Sequence, residues 1–256
     1  MRRLAALGLV AAAAVLMAGC RHKQTAVYAP PPPVLLPAPT QSTPPEIAHN
    51  APIEPAPANP GVTSAADLAF VAGHAPVWTE TGIASWYGPP YNKRRGANGK
   101  IYDQDAMTAA HRTLPLNSLI RVTNLKTGQQ AVLHVTDRGP FVPGRVLDLS
   151  MASAKALGLY VAGTGLVRIE VFAVPAPIAT GGRWCVQIGA FKHEDEADKL
   201  RSHLSRKYQT ANVIEFTGPT GHWVRIRPLH DDKERAVEIA KDLKPSEGEA
   251  YLVRLD

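Results

Sequence analysis

The stretch VLHVTDRGPFVPGRVLDLS, residues Val132–Ser150, decides how this chain is read. Apolar and polar residues alternate through Val132–Val135, which predicts a strand. Asp137-Arg138-Gly139-Pro140 then breaks it, because Gly frees one φ and Pro fixes the next. The resulting tight turn carries an acid and a base. A second acid, Asp148, follows eleven residues later between Leu147 and Leu149, and Ser150 reads as the N-cap of a helix over Met151–Leu159. A strand that ends in a charged turn, with another carboxylate close by, is a common mounting for catalytic groups.

Outward from this stretch lie more short strands. Gly82–Gly88, Ala106–Ala110, Leu119–Leu125, Gln130–Val135, Val146–Leu149 and Leu166–Phe172 are each β-like, and Asn124–Gly128 has hairpin-turn residues. Pro89–Gly99 is a loop rich in Lys, Arg, Gly and Asn. Many short strands with one embedded helix predict a small closed barrel over residues 79–174.

The N-terminal side is different in kind. Arg2 and Arg3 precede an apolar run, Leu4–Ala18, that ends in Gly19-Cys20. A short basic start, an apolar core and small residues before a cleavage point describe an exported leader, residues 1–19, and the run is short for a membrane span. The cysteine resembles that of a bacterial lipoprotein signal, which implies lipid on Cys20 and, with Arg21 rather than Asp next, sorting to the outer membrane. Met17 departs from the leucine usual three places before that cysteine. Twelve of the 23 prolines fall between Pro30 and Pro60, so residues 20–78 read as a disordered Pro/Ala-rich tether. Roughly 55 extended residues at ~3 Å each would reach beyond 100 Å. Ala65–Val71 is a weak helix candidate within it.

Charge narrows the partners. Residues 79–174 carry 11 Lys+Arg against 6 Asp+Glu, whereas residues 183–256 carry 13 of each. An exported basic domain meets an anionic cell-envelope polymer before it meets nucleic acid. With Cys20 lipidated, Cys185 has no intrachain partner, so the fold is not built on disulfides. No CxxC or HExxH occurs, and His111 and His134 lack ligand spacing, so neither a metal nor another cofactor is expected.

Six blocks carry a specific resemblance: ASWYG at Ala84–Gly88, ANGKIYD at Ala97–Asp103, AMTAAHRTLP at Ala106–Pro115, RVTNL at Arg121–Leu125, TDRGPF at Thr136–Phe141 and RVLDLS at Arg145–Ser150. In this order and spacing they resemble the rare lipoprotein A family of septal lytic transglycosylases. That resemblance implies a six-stranded double-psi β-barrel. It also implies cleavage of the β-1,4 bond from N-acetylmuramic acid to N-acetylglucosamine. The muramyl 6-hydroxyl, not water, attacks C1 and leaves a 1,6-anhydro ring. An internal nucleophile lets one group serve as acid and then as base.

On the family's pattern Asp137 is the primary acid, His111 a second important position, and Asp148 the alternative acid. Trp86, Tyr87, Tyr91 and Tyr102 are candidates for a sugar-stacking platform, and Asn98 and Arg138 are further substrate contacts. An acid at neutral pH needs a raised pKa, which Arg138 would oppose if its side chain came close. Each residue also has a structural alternative: turn aspartates cap N–H groups, His111 suits a satisfied buried imidazole, and Trp86 suits the core. One departure stands out. Lys100 occupies a position where active family members have Glu.

Residues 175–182 read as a short linker, and 183–256 as βαββαβ. Strands are expected at Trp184–Phe191, Asn212–Phe216, His222–Leu229 and Glu249–Leu255, with helices at Glu194–Tyr208 and Lys233–Leu243. WCVQIGAF and HWVRIRP resemble the SPOR domain, which implies binding to glycan strands stripped of stem peptides at division septa. Alternation turns Val186, Ile188, Val224 and Ile226 toward the helices. Cys185, Gln187, Trp223, Arg225 and Arg227 then share the opposite face, and Gln187, Phe191, Trp223 and Arg225 are the candidate sugar contacts. The sequence thus predicts a lipid-anchored septal transglycosylase with divisome proteins as possible partners. The alternative is an inactive glycan-binding lipoprotein, on the strength of Lys100.

Overall fold

A computed structural model describes residues 63–89, 91–218, 220–245 and 248–256. The leader, Cys20 and most of the expected tether lie outside the described residues. Six strands close a barrel: β1 Trp78–Trp86, β2 Thr108–Ala110, β3 Leu119–Asn124, β4 Gln130–Asp137, β5 Arg145–Leu149 and β6 Thr164–Ala173. Their order around the barrel is β1-β5-β2-β4-β3-β6. β1 runs parallel to β5 and β2 parallel to β4, while the other neighbours are antiparallel. Ala84, Ile120, Leu133, Leu147, Val167 and Ile169 are fully buried inside, as strand alternation requires.

The helix after Ser150 forms as read but is shorter: α2 spans Met151–Ala156, with the Ser150 hydroxyl accepting from Ser153 N at 3.1 Å. It stops early because Leu157 leaves helical ψ and Gly158, at φ +68°, takes the left-handed conformation that ends helices. The expected tether also ends sooner than residue 78. A capping box between Ser64 and Asp67 starts the first helix, α1 Ala65–Gly73, ahead of the barrel. Its Val71 is buried with Leu119 and Phe172 against the barrel wall.

The C-terminal part has the expected βαββαβ order: β7 Trp184–Phe191, α3 Glu194–Lys207, β8 Asn212–Gly218, β9 Gly221–Arg227, α4 Lys233–Asp242 and β10 Glu249–Arg254. The four strands form an antiparallel sheet in the order β10-β7-β9-β8. Val186, Ile188, Val224 and Ile226 pack on Ala197, Leu204, Ala236 and Ile239 of the helices. Phe191 corrects the sequence reading. The β7–β9 register shifts between Gly189 and Phe191, the alternation reverses, and Phe191 enters this helix-side core instead of the opposite face. Among the described residues, barrel and sheet both belong to one compact unit.

Candidate active-site cleft

The end of β4 and the end of β5 bring two carboxylates to one place. β2 lies between them, and its Ala110 pairs with Asp137 on one side and Asp148 on the other. Residues directly opposite in neighbouring strands share a face, so both aspartates stand on the same side with only a methyl between them. Two strand spacings separate their Cα atoms by about 10 Å. Gly139 in the intervening turn has φ +147°, a conformation that favours glycine. Both aspartates line a cleft of about 1080 Å³, just above the roughly 300–1,000 Å³ typical of ligand sites.

Each carboxylate is anchored through one oxygen. Asp137 Oδ1 accepts the backbone N–H of Ala97 (2.9 Å) and of Arg138 (2.8 Å), and no hydrogen bond to Oδ2 is recorded among the described residues. Asp148 Oδ1 accepts from the Ser85 hydroxyl at 2.5 Å, with Arg145 Nε at 3.6 Å. Burial pushes the Asp137 carboxyl above the usual range, and the two N–H donors and the Arg138 charge offset only part of that. Burial likewise raises Asp148, against the opposing pull of Arg145, Ser85 and Arg112. Both carboxyls are therefore shifted in the direction that an acid needs.

Arg138 does not neutralise its neighbour because its guanidinium is occupied elsewhere. Nη1 donates to His111 O (3.0 Å) and Leu114 O (2.6 Å), and Nη2 donates to Asp256 O at 2.5 Å. Burial holds this arginine down at about 10. It lines the cleft as a brace between loops.

His111 does not reach the cleft. Its ring is buried, Nδ1 accepts the N–H groups of Thr113 (3.2 Å) and Leu114 (3.0 Å), and Nε2 meets Glu80 Oε2 at 3.0 Å. With Nδ1 accepting, the proton sits on Nε2 and is donated to Glu80. Burial pushes the imidazole below its ordinary value, despite the opposing Glu80. Both nitrogens are committed, so the ring shapes the loop whose carbonyls hold Arg138.

The aromatic residues form one cluster along the cleft. Tyr87 stacks on Tyr102 (ring centroids 4.5 Å) and meets Tyr91 edge-on at 5.6 Å, while Trp86 leans on Tyr160 at 4.9 Å. Trp86, Tyr87, Tyr91 and Tyr102 all line the cleft. Tyr102 Oη donates to Tyr87 O at 3.0 Å. Burial, with Asp137 next in effect, pushes the Tyr87 phenol well up, so it remains a donor. Asn98 is outside the lining; its side chain instead accepts from Lys100 N at 3.0 Å and closes a turn. Lys100 is exposed and is also outside the lining.

The opposite wall comes from the C-terminal sheet. Gln187, Trp223 and Arg225 line the same cleft, and Arg225 Nη2 donates to Gln187 Oε1 at 2.7 Å. Cys185 is buried beside Tyr251 and Val253, and burial pushes its thiol up to about 11. In all, seven arginines and two aspartates line the cleft, a surface suited to an anionic polymer. Ser85 and Arg145, the partners of Asp148, were not singled out from sequence, although both lie in the quoted blocks. Phe141, at the end of TDRGPF, was missed as well, because its contacts are on another domain.

A lytic transglycolase family model matches residues 79–170, and a SPOR domain model matches residues 180–254. A protein of Neisseria meningitidis serogroup A named endolytic peptidoglycan transglycosylase RlpA is 43% identical over 168 residues, which cover 63% of this chain and 70% of that protein. Proteins of the same name from Pasteurella multocida and Vibrio cholerae are 48% identical over 175 residues and 38% identical over 162. Those matches cover 64% and 60% of this chain, and 60% and 61% of the relatives' lengths.

Proposed function

This chain belongs to the rare lipoprotein A (RlpA) family, and from that premise we propose that it is an endolytic peptidoglycan transglycosylase acting on glycan strands stripped of stem peptides. The observation that carries the reading is the half-buried Asp137 carboxyl, held by two backbone N–H groups and shifted upward in pKa within an arginine-lined cleft. Asp137 Oδ2 protonates the glycosidic oxygen as the bond to C1 breaks. The carboxylate so formed takes the proton of the muramyl 6-hydroxyl as that oxygen closes on C1, so one group returns to its starting state and no water is consumed. The neutral phenol of Tyr87 and the neighbouring rings hold the sugars. Removing the stem peptide frees the lactyl carboxylate of muramic acid, and arginines are suited to that group. Barrel domain 79–174, linker 175–182 and SPOR domain 183–256 are the division of labour in this reading, with a leader over 1–19 and lipid on Cys20 holding the chain to the outer membrane at the septum.

Mass spectrometry of digests of peptide-free strands tests the activity. Fragments ending in 1,6-anhydromuramic acid are expected; reducing ends would mean hydrolysis and would sink the proposal. Lys100 motivates the second reading, an inactive glycan-binding lipoprotein. Its exposed position outside the cleft lining favours activity. Lys100→Glu is therefore expected to change kcat less than threefold, whereas products appearing only in that variant would establish the second reading for the natural chain.

Ser85→Ala separates the two candidate acids. The hydroxyl stabilises the Asp148 carboxylate, and a hydrogen bond to a charged group contributes about 1.5–3 kcal/mol, or about 1 to 2 pH units. Loss of the hydroxyl raises the Asp148 pKa further. With Asp137 as the acid, the alkaline limb of the kcat/KM profile stays in place; an upward shift of about 1 unit would assign the acid to Asp148.

A further inference from the structure

The sugar-facing side of the C-terminal sheet is not free. Phe141, in the turn that carries Asp137, wedges between Trp223 (ring centroids 5.2 Å) and Tyr251 (5.6 Å). The Arg112 guanidinium lies 5.6 Å over the Tyr251 ring. Backbone hydrogen bonds join the domains, from Arg254 N to Arg112 O (3.0 Å) and from Leu116 N to Asp256 O (3.2 Å). The connection is short: β6 ends at Ala173 and β7 starts at Trp184, leaving ten residues, 174 to 183. It is also pinned, with Arg254 Nη1 donating to Pro177 O and Lys233 Nζ to Ala179 O, both at 2.7 Å.

This docking divides the sheet face. Cys185, Tyr251 and Val253 are buried with Phe141 packed against them. Gln187, Trp223 and Arg225 line the cleft that also holds Asp137 and Asp148. Both walls carry a buried polar atom without a hydrogen-bond partner among the described residues: Tyr87 Oη on the barrel and Arg225 Nε on the sheet. An unsatisfied buried donor costs about 1–3 kcal/mol, so one polar ligand spanning both walls would relieve both. Arg225 pairs with the neutral Gln187 amide and lies 4.8 Å over the Phe216 ring, which leaves its charge uncompensated by any described acid. Arg227, by contrast, is held by both oxygens of Asp231 at 2.8 and 2.6 Å.

We infer that barrel and sheet form one composite glycan site, in which the C-terminal domain supplies subsites of the cleft and Arg225 holds an anionic sugar of the same strand that lies at Asp137. This rests on the glycan reading above and extends it: the C-terminal domain positions the substrate as well as delivering the enzyme.

Calorimetric titration of the full chain carrying Asp137→Asn with peptide-free strands of uniform length tests it, beside Tyr91→Ala on a barrel loop and Arg225→Ala on the sheet in the same background. One strand bound per chain is expected, and each variant should weaken that single event about tenfold. Two binding events, each sensitive to one variant only, would overturn the composite site, as would a single event indifferent to Arg225→Ala or no binding at all. Thermal unfolding checks that both variants fold, and Arg225→Lys, which keeps the charge, is expected to restore part of the affinity. In the chain with Asp137 intact, Arg225→Ala should raise KM about tenfold with little change in kcat. Absence of anhydromuramyl products with single-event binding preserved would end the transglycosylase reading and leave the composite site standing. Products formed with an unchanged KM would do the reverse.

Discussion

Asp137→Asn is expected to lower kcat for anhydromuramyl product formation about a thousandfold, while strand binding changes little. General acid catalysis contributes about 10²–10⁴ in rate, and in the proposed mechanism the same group also serves as the base. The substitution is nearly isosteric. An Asn oxygen at the Oδ1 position still accepts the N–H groups of Ala97 and Arg138, so the turn keeps its shape and only the transferable proton is lost. Asp148→Asn provides the contrast. Asp148 lies across Ala110 and is tied to Ser85 and Arg145, so its loss should cost about tenfold through weaker orientation of the cleft. Single-turnover kinetics on both variants decide between them. If Asp148→Asn were the thousandfold variant and Asp137→Asn the mild one, the roles would be exchanged.

His111→Ala is expected to destabilise the chain by about 3 kcal/mol, lowering Tm by about 10 °C. The change leaves the buried N–H groups of Thr113 and Leu114 without their acceptor and Glu80 without its donor. It also loosens the loop whose His111 and Leu114 carbonyls fix Arg138. The pH dependence separates this role from a catalytic one. The imidazole is held below its ordinary value in the folded chain, so the unfolded chain binds the proton more readily. Stability is therefore lost as pH falls through about 6.5, the ordinary histidine value, toward the lower folded one. Thermal unfolding between pH 7 and 5 should show this slope in the wild-type chain and a smaller one in His111→Ala. A catalytic His111 would instead leave Tm nearly unchanged and remove a limb from the pH–rate profile.

Much of the architecture was legible without coordinates. The strand positions of the barrel and the βαββαβ order follow from local alternation, turn residues and helical periodicity, all of which act within a few residues. The helix-facing residues of the C-terminal sheet were legible for the same reason, since a period of two fixes their face. Phe191 shows the limit of that rule. A single register shift after Gly189 reverses the parity, and nothing in the residue order WCVQIGAF marks it. The helix at Ala65–Gly73 marks a different limit: its capping box is local, but its burial depends on a barrel wall formed by residues far along the chain.

By itself, then, the sequence determined the strands, the helices, the charged turn at Asp137 and the aromatic run beside it, because propensity, patterning and turn chemistry are local properties. Tertiary structure alone decided which of the chemically plausible residues share a site. Parallel pairing of β2 with β4 and antiparallel pairing with β5 place Asp137 and Asp148 on either side of Ala110, burial raises both carboxyls, Glu80 takes up His111 Nε2, and the docking of Phe141 on Trp223 and Tyr251 brings Arg225 to the same cleft. These outcomes depend on contacts between residues as far as 110 positions apart, as Phe141 and Tyr251 are, and on the desolvation those contacts impose, neither of which is encoded in any short stretch of the chain.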